Sequence, residues 1–219
     1  DELRELLPDI DFIGTENALA FRILLATCVR GIELVRAKKE HVFLDQGIWW
    51  VPEESVKTRR GFLVPLTPVV VAWFRRLFAL SGDSLYVLPT RNGRRRRTRG
   101  DTHVGKTTLW AALRRAFARH DIEIRKFTPH DTRSTAKGHL RNMGVSWEES
   151  EVALNHKLGD LDDIYDVREE RPERREALEK WCEFIIACET GAPTPAFVKP
   201  TPNNKLIHLF TRRETQALM

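Results

Sequence analysis

The sequence predicts an α+β domain, mainly α-helical, with a small three-stranded antiparallel sheet. Three observations predict it. Apolar residues recur at helical spacing in several separate segments. Three short β-type runs cluster between residues 41 and 66. Hydrophobic residues make up 42% of the chain, enough for a buried core. The 219 residues suffice for one large domain or two small ones.

In chain order, residues 1–15 are mixed, contain Pro8 and Gly14, and are expected to be a linker. From Glu16, the apolar residues Phe21, Leu24, Leu25 and Cys28 mark one face of a first helix, which Arg30 ends. His41–Leu44 and Ile48–Val51 flank Asp45-Gln46-Gly47, a hairpin signal. Phe62–Leu66 is a third strand, with Pro65 pointing to an edge or an end. The basic connection Lys57–Gly61 places Lys57 near the second turn. Val70, Trp73, Phe74, Leu77 and Phe78 give a helix, as do Leu109, Ala112, Leu113, Ala116 and Phe117. Thr128-Pro129-His130-Asp131 reads as a helix start, with Thr128 as N-cap, and Gly144 as its stop. Ser146 and Glu149 form a second capping box, for a helix reaching His156. Leu178, Trp181, Cys182 and Ile185 face one side of a last helix. Residues 16–190 are therefore the expected main domain, and 191–219, with four Pro, an extended tail.

Several classes are excluded. No stretch approaches the roughly 20 apolar residues of a membrane span, and no signal-peptide pattern is present. Three Cys in a long chain do not make a disulfide framework. The seven His and three Cys include no C-x-x-C or H-x-x-x-H pair, so no metal site is expected. A cytoplasmic globular domain is the expectation that remains.

The charge is local. The net formal charge is +5, yet residues 91–99 hold six Arg and no acid; without them, 30 basic residues face 31 acidic ones. Such a cluster suits phosphate binding, or is a solvated loop. Asn92-Gly93 suggests an exposed hairpin tip. Arg94, Arg95, Arg96, Arg97 and the nearby Lys106 are the candidate phosphate contacts.

Gly100–Thr107 fits the phosphate-cradling pattern G-x-x-x-x-G-K-[ST]. That chemistry needs a buried strand immediately before the loop, and an Arg-rich segment stands there instead. The match reads as chance, with Thr107 or Thr108 capping a helix, and no nucleotide is expected.

A set of separated residues carries more. Arg30 is followed by Glu33 at i+3, and Lys57 lies in the basic turn. His130 and Arg133 share one helix face, His156 lies 23 residues after Arg133, and Tyr165 nine after that. Singly, each has an ordinary reading as an ion pair, a solvated face or packing. In this order and spacing they resemble the tyrosine recombinases, the phage integrase family. The resemblance runs from about Glu16 to about Glu189. It is nearest the integrases of prophages and genomic islands, through Val64-Pro65-Leu66 and Leu154-Asn155-His156-Lys157. Three positions depart from the family's pattern. Cys28 stands where Gly is usual, Thr132 where Leu is frequent, and Asn155 where Gly or Ala commonly precedes the second His. None removes a chemical group.

The resemblance implies transesterification at a DNA phosphodiester, with no cofactor. Tyr165 would attack phosphorus, leaving a 3′-phosphotyrosyl link. Arg30 and Arg133 would clamp the non-bridging oxygens, to which planar guanidinium forks are suited. His156 would add a donor, Lys57 would protonate the leaving 5′-oxygen, and His130 would serve as base or relay. Glu33 would hold Arg30. The implied partners are double-stranded DNA and other protomers, four on two paired sites, with a DNA-binding domain expected upstream. Two other readings stay open: a type IB topoisomerase-like relaxing activity, and a non-catalytic DNA-binding module.

Overall fold

The computed structural model describes residues 1–56, 60–119, 123–156 and 172–198. It is mostly helical, with one three-stranded antiparallel sheet. Lys57, Tyr165 and residues 199–219 lie outside the described residues.

The segment expected to be a linker is folded. Residues Glu2–Leu6 form α1, and Ile10–Ile13 form a 3₁₀ turn. Leu6, Leu7, Ile10 and Ile13 are buried in the common core. Pro8 breaks the helical run, which disguises the periodicity of these short pieces.

Helix α2, Thr15–Thr27, is the centre of the molecule. Every residue from Ala18 to Thr27 is buried, not just one face. It packs against the 3₁₀ turn and against the helices Pro68–Ser81, Thr108–Arg119, Asp131–Asn142 and Pro172–Thr190. A helix apolar all round belongs in such a place. The one charged residue in that stretch, Arg22, is paired with Asp11 at 3.0 Å and Glu189 at 2.7 Å. Arg30 does not end α2. The helix stops at Thr27, and Arg30 opens a further short helix, α3, Gly31–Val35.

The sheet has the order β1-β2-β3, with β1 Val42–Phe43, β2 Ile48–Val51 and β3 Phe62–Pro65. Trp49 pairs with Val42 on one side and Val64 on the other. Gly47 turns the hairpin at φ +64°, and its carbonyl accepts from Leu66 N at 2.8 Å. Alternation buries Trp49 and Val51 of β2, and Trp49 meets Phe74 edge-on at 5.6 Å.

Helix α4, Pro68–Ser81, starts with Thr67 at the cap position and Pro68 at the first turn. The Arg run is not a hairpin tip. It forms helix α5, Gly93–Arg99, because the Asn92 side chain accepts from Arg95 N at 3.0 Å. Helix α6 spans Thr108–Arg119. The residues before Gly100 are thus helical, and the G-x-x-x-x-G-K-T segment joins two helices.

Helix α7, Asp131–Asn142, begins two residues later than the expected start at Pro129. The Asp131 carboxylate still takes hydrogen bonds from Thr128 N at 2.7 Å and Thr128 Oγ1 at 2.9 Å. Helix α8, Trp147–Ala153, carries the expected Ser146–Glu149 capping box. It ends before His156; Asn155 then takes φ +53°. Helix α9, Pro172–Thr190, buries Leu178, Trp181, Cys182 and Ile185. Trp181 Nε1 donates to Leu25 O at 2.7 Å, tying α9 to α2. After Gly191 the chain is non-helical, and Val198 N bonds Asn142 O at 2.9 Å.

Candidate active site

The site forms where α2, α7 and α8 end or begin. Arg133 lies in the first turn of α7 and is 3% exposed. Its Nη1 donates to the carbonyl of Cys28, just past α2. Its Nη2 donates to Leu154 O at 2.6 Å, just past α8, and meets His156 Nε2 at 2.8 Å. The two carbonyls belong to helix C-termini, where the partial charge is negative. That is the setting in which a buried guanidinium can keep its charge. Burial and the neighbouring positive charge of Arg30 both lower its pKa. Arg133 thus joins residues 105 and 21 positions away in sequence.

Arg30 is half-buried, and Glu33 orients it. The Glu33 carboxylate accepts from Arg30 N at 2.7 Å and from Arg30 Nη1 at 3.1 Å. Glu33 itself is 1% exposed, so the pair is anchored on its acidic side. Arg30 lies close enough to the buried fork of Arg133 for its positive charge to lower the pKa of that fork.

His156 follows the left-handed Asn155; it contacts Arg133 directly and feels the charge of Arg30. Burial pushes its pKa below the ordinary histidine range. A hydrogen bond to Glu151 opposes that shift, and the charges of Arg133 and Arg30 add to it. Nδ1 of the ring lies 2.6 Å from Glu151 Oε2. An arginine only donates, so Nε2 is the acceptor here and Nδ1 carries the proton.

The structure therefore brings together Arg30, Glu33, Arg133 and His156. His130 is exposed, at the N-terminal boundary of α7. Its ring makes no hydrogen bond to Arg30, Arg133 or His156. Lys57 and Tyr165 fall outside the described residues.

Sequence reasoning missed three participants. Glu151 and Lys137 form an ion pair beside His156. Arg174, 5% exposed, donates to Val152 O at 2.9 Å, Leu63 O at 2.7 Å and Asn155 Oδ1 at 3.0 Å. It fixes the Asn155 turn to α8 and β3. No local pattern marks these residues, although Glu151 lies one helical turn and a residue before His156.

Arg94, Arg96, Arg97 and Lys106 are exposed, and Arg95 is half-buried. Arg95 and Lys106 line a groove together with Arg91, Gly31 and Pro129, so the basic helix borders the neighbours of Arg30 and His130. Arg91 is already paired with Glu16, at 3.0 Å from Nε. Among the described residues no His, Cys, Asp and Glu cluster suits a metal ion, and no helix is long and apolar enough to cross a membrane. Cys28, Cys182 and Cys188 are buried free thiols, and burial pushes Cys28 up to about 12.

Comparison with known proteins gives a consistent picture. Residues 1–166 match the phage integrase family. The prophage integrase IntA of Escherichia coli (strain K12) is 24% identical over 181 residues, which is 82% of this chain and 41% of that protein. The tyrosine recombinase XerD of Pasteurella multocida (strain Pm70) is 28% identical over 166 residues, 72% of this chain and 52% of that protein. The crystal structure of XerA recombinase superposes with a TM-score of 0.55 at 22% identity, covering 82% of this chain and 63% of that one. The chain thus spans about half the length of the two sequence relatives.

Proposed function

We propose that this chain, which belongs to the phage integrase family, breaks and rejoins double-stranded DNA at specific sites through a 3′-phosphotyrosyl intermediate. The observation that carries the reading is the Arg133 guanidinium. It is buried, held by two helix-end carbonyls and His156, and lies beside Arg30. Two guanidiniums and an imidazole from three separate segments make a cradle for a tetrahedral or bipyramidal oxyanion.

In the proposed reaction the Tyr165 oxygen attacks phosphorus. The new O–P bond forms as the bond to the 5′-oxygen breaks. The phenolic proton leaves through His130 as base or relay, and Lys57 delivers a proton to the departing 5′-oxygen. Arg30 and Arg133 hold the non-bridging oxygens, and Glu33 keeps Arg30 in place. The phosphodiester energy is retained in the tyrosyl ester, so the reaction needs no nucleotide. Rejoining is the same step reversed, with a 5′-hydroxyl as nucleophile.

The exposed Arg94, Arg96, Arg97 and Lys106, with the half-buried Arg95, would supply sequence-independent phosphate contacts. Similarity to a prophage integrase supports integration or excision of a mobile element as the biological role. Assembly of four protomers on two paired sites is part of the same proposal.

Crystallisation with orthovanadate tests the site directly. The expected result is vanadate within hydrogen-bond reach of Arg30, Arg133 and His156. Vanadate at Gly105 and Lys106 instead, with the arginine site empty, would overturn the reading.

A further inference from the structure

The roles proposed above leave Glu151 without a task, although it is a buried carboxylate in direct contact with His156. It is 5% exposed, on α8. One oxygen takes the Nδ1 side of His156 at 2.6 Å, and the other forms an ion pair with Lys137. Lys137 lies four residues after Arg133 on α7, so both cations stand on one face of that helix.

We propose that Glu151 is a positioning residue for His156: it holds the ring proton on Nδ1 and thereby commits Nε2 to Arg133 and to the phosphodiester oxygen. The inference rests on the recombinase reading above and deepens it. Arg133 Nη2 at 2.8 Å requires an unprotonated Nε2 while the site is empty. A phosphate oxygen entering the site competes for the same guanidinium N–H. His156 then takes a proton from solvent at Nε2 and becomes a donor to that oxygen. The charges acting on the ring are Glu151 of α8, Arg133 of α7 and Arg30; behind them Lys137 of α7 pairs with Glu151, Glu33 of α3 pairs with Arg30, and Arg174 of α9 bonds Asn155. Among the described residues Glu151 is the anion in direct contact with the imidazole, so it is a group that can balance an imidazolium there. Lys137 keeps the carboxylate from rotating away. A carboxylate behind an imidazole sets its tautomer and orientation in other sites by the same physics.

The test is the tautomer of His156, read by nitrogen NMR of the histidine rings in the whole chain at about pH 8 and assigned with His156→Gln. The wild type is expected to carry the proton on Nδ1. In Glu151→Gln the Lys137 ammonium claims the amide oxygen, which turns the amide N–H₂ toward Nδ1. The ring is then expected to switch to the Nε2–H form. Adding Lys137→Met frees the amide to rotate and should restore Nδ1–H. An Nε2–H ring in the wild type, or an unchanged tautomer in folded Glu151→Gln, would overturn the proposal. If Glu151→Gln does not fold, the wild-type tautomer decides. In an SDS-resistant DNA-adduct assay, Glu151→Gln should slow adduct formation about 10- to 100-fold and move its optimum to lower pH. A purely structural defect would lower the rate without moving the profile. An adduct that persists in Tyr165→Phe would sink the recombinase chemistry while leaving the tautomer result standing.

Discussion

Cys28 presents its carbonyl oxygen to the Arg133 guanidinium from a left-handed backbone conformation, φ 56° and ψ 16°. The left-handed turn is what points that oxygen away from α2 and toward the site. For a residue with a Cβ, this conformation costs roughly 1–2 kcal/mol. Cys28→Gly should therefore be more stable than Cys28→Ala by about 1 kcal/mol, the reverse of the helix-propensity order. Urea denaturation of the two variants measures the difference. Equal stability would mean the turn is not strained.

Arg133→Lys is expected to lower cleavage about 10²- to 10³-fold. An ammonium cannot satisfy Cys28 O, Leu154 O and His156 in one plane and still offer a fork to phosphate. Single-turnover cleavage of a nicked DNA duplex tests this, with circular dichroism to confirm folding. Near-normal cleavage would count against the clamp.

Tyr165→Phe should abolish the SDS-resistant adduct and leave DNA affinity within about twofold, since a phenol oxygen adds little to phosphate binding. A library of random-sequence nicked duplexes avoids the need to know the target site. Loss of binding along with the adduct would assign Tyr165 to the interface instead.

Replacing Arg94, Arg96 and Arg97 with Ala should weaken binding to all DNA sequences alike. The slope of log affinity against log salt should fall by about one for each phosphate that the variant no longer neutralises. Filter binding or anisotropy across a salt series reads the slope. An unchanged slope would make α5 a solvated helix that does not touch DNA.

Stability should fall on acidification through the histidine range. Burial lowers the pKa of both His139 and His156. The unfolded chain therefore binds more protons than the folded chain between the depressed pKa values and about 6.5. Stability is gained as pH rises through that window and falls away as pH drops. His139 packs among Trp181, Phe184 and Phe197, and its Nδ1 is buried without a partner among the described residues. His139→Phe should flatten the dependence of melting temperature on pH between about 5 and 7. An equal slope in the variant would assign the effect elsewhere.

What was legible in the sequence followed from local rules. The sheet was readable because its alternation and Gly47 turn are both local. The start of α8 was readable because Ser146 and Glu149 satisfy each other within one turn. Asn92-Gly93 misled because Asn serves equally in a hairpin turn and as a helix cap; only the Arg95 N–H distinguishes them. The pattern puts both Arg30 and His156 at the end of a helix, beyond the true helix ends, for one reason. Among the described residues, Cys28 and Asn155 are the two non-glycine positions with positive φ, and neither announces a left-handed turn as Gly does. They are also two of the positions that depart from the family pattern. In the candidate site, Arg30, Glu33, Arg133 and His156 were found by order and spacing. Glu151, Lys137 and Arg174 were not, because their partners lie on other elements and exist only after folding.

The burial of α2 on every side bears on timing as well as stability. Its amides open to solvent only when the packed helices around it separate, so they report global unfolding. Arg30 is three residues beyond this helix, and the Cys28 carbonyl one residue beyond it. The proposed oxyanion cradle therefore hangs from a helix that is expected to open last. Its geometry should persist through local openings elsewhere in the chain.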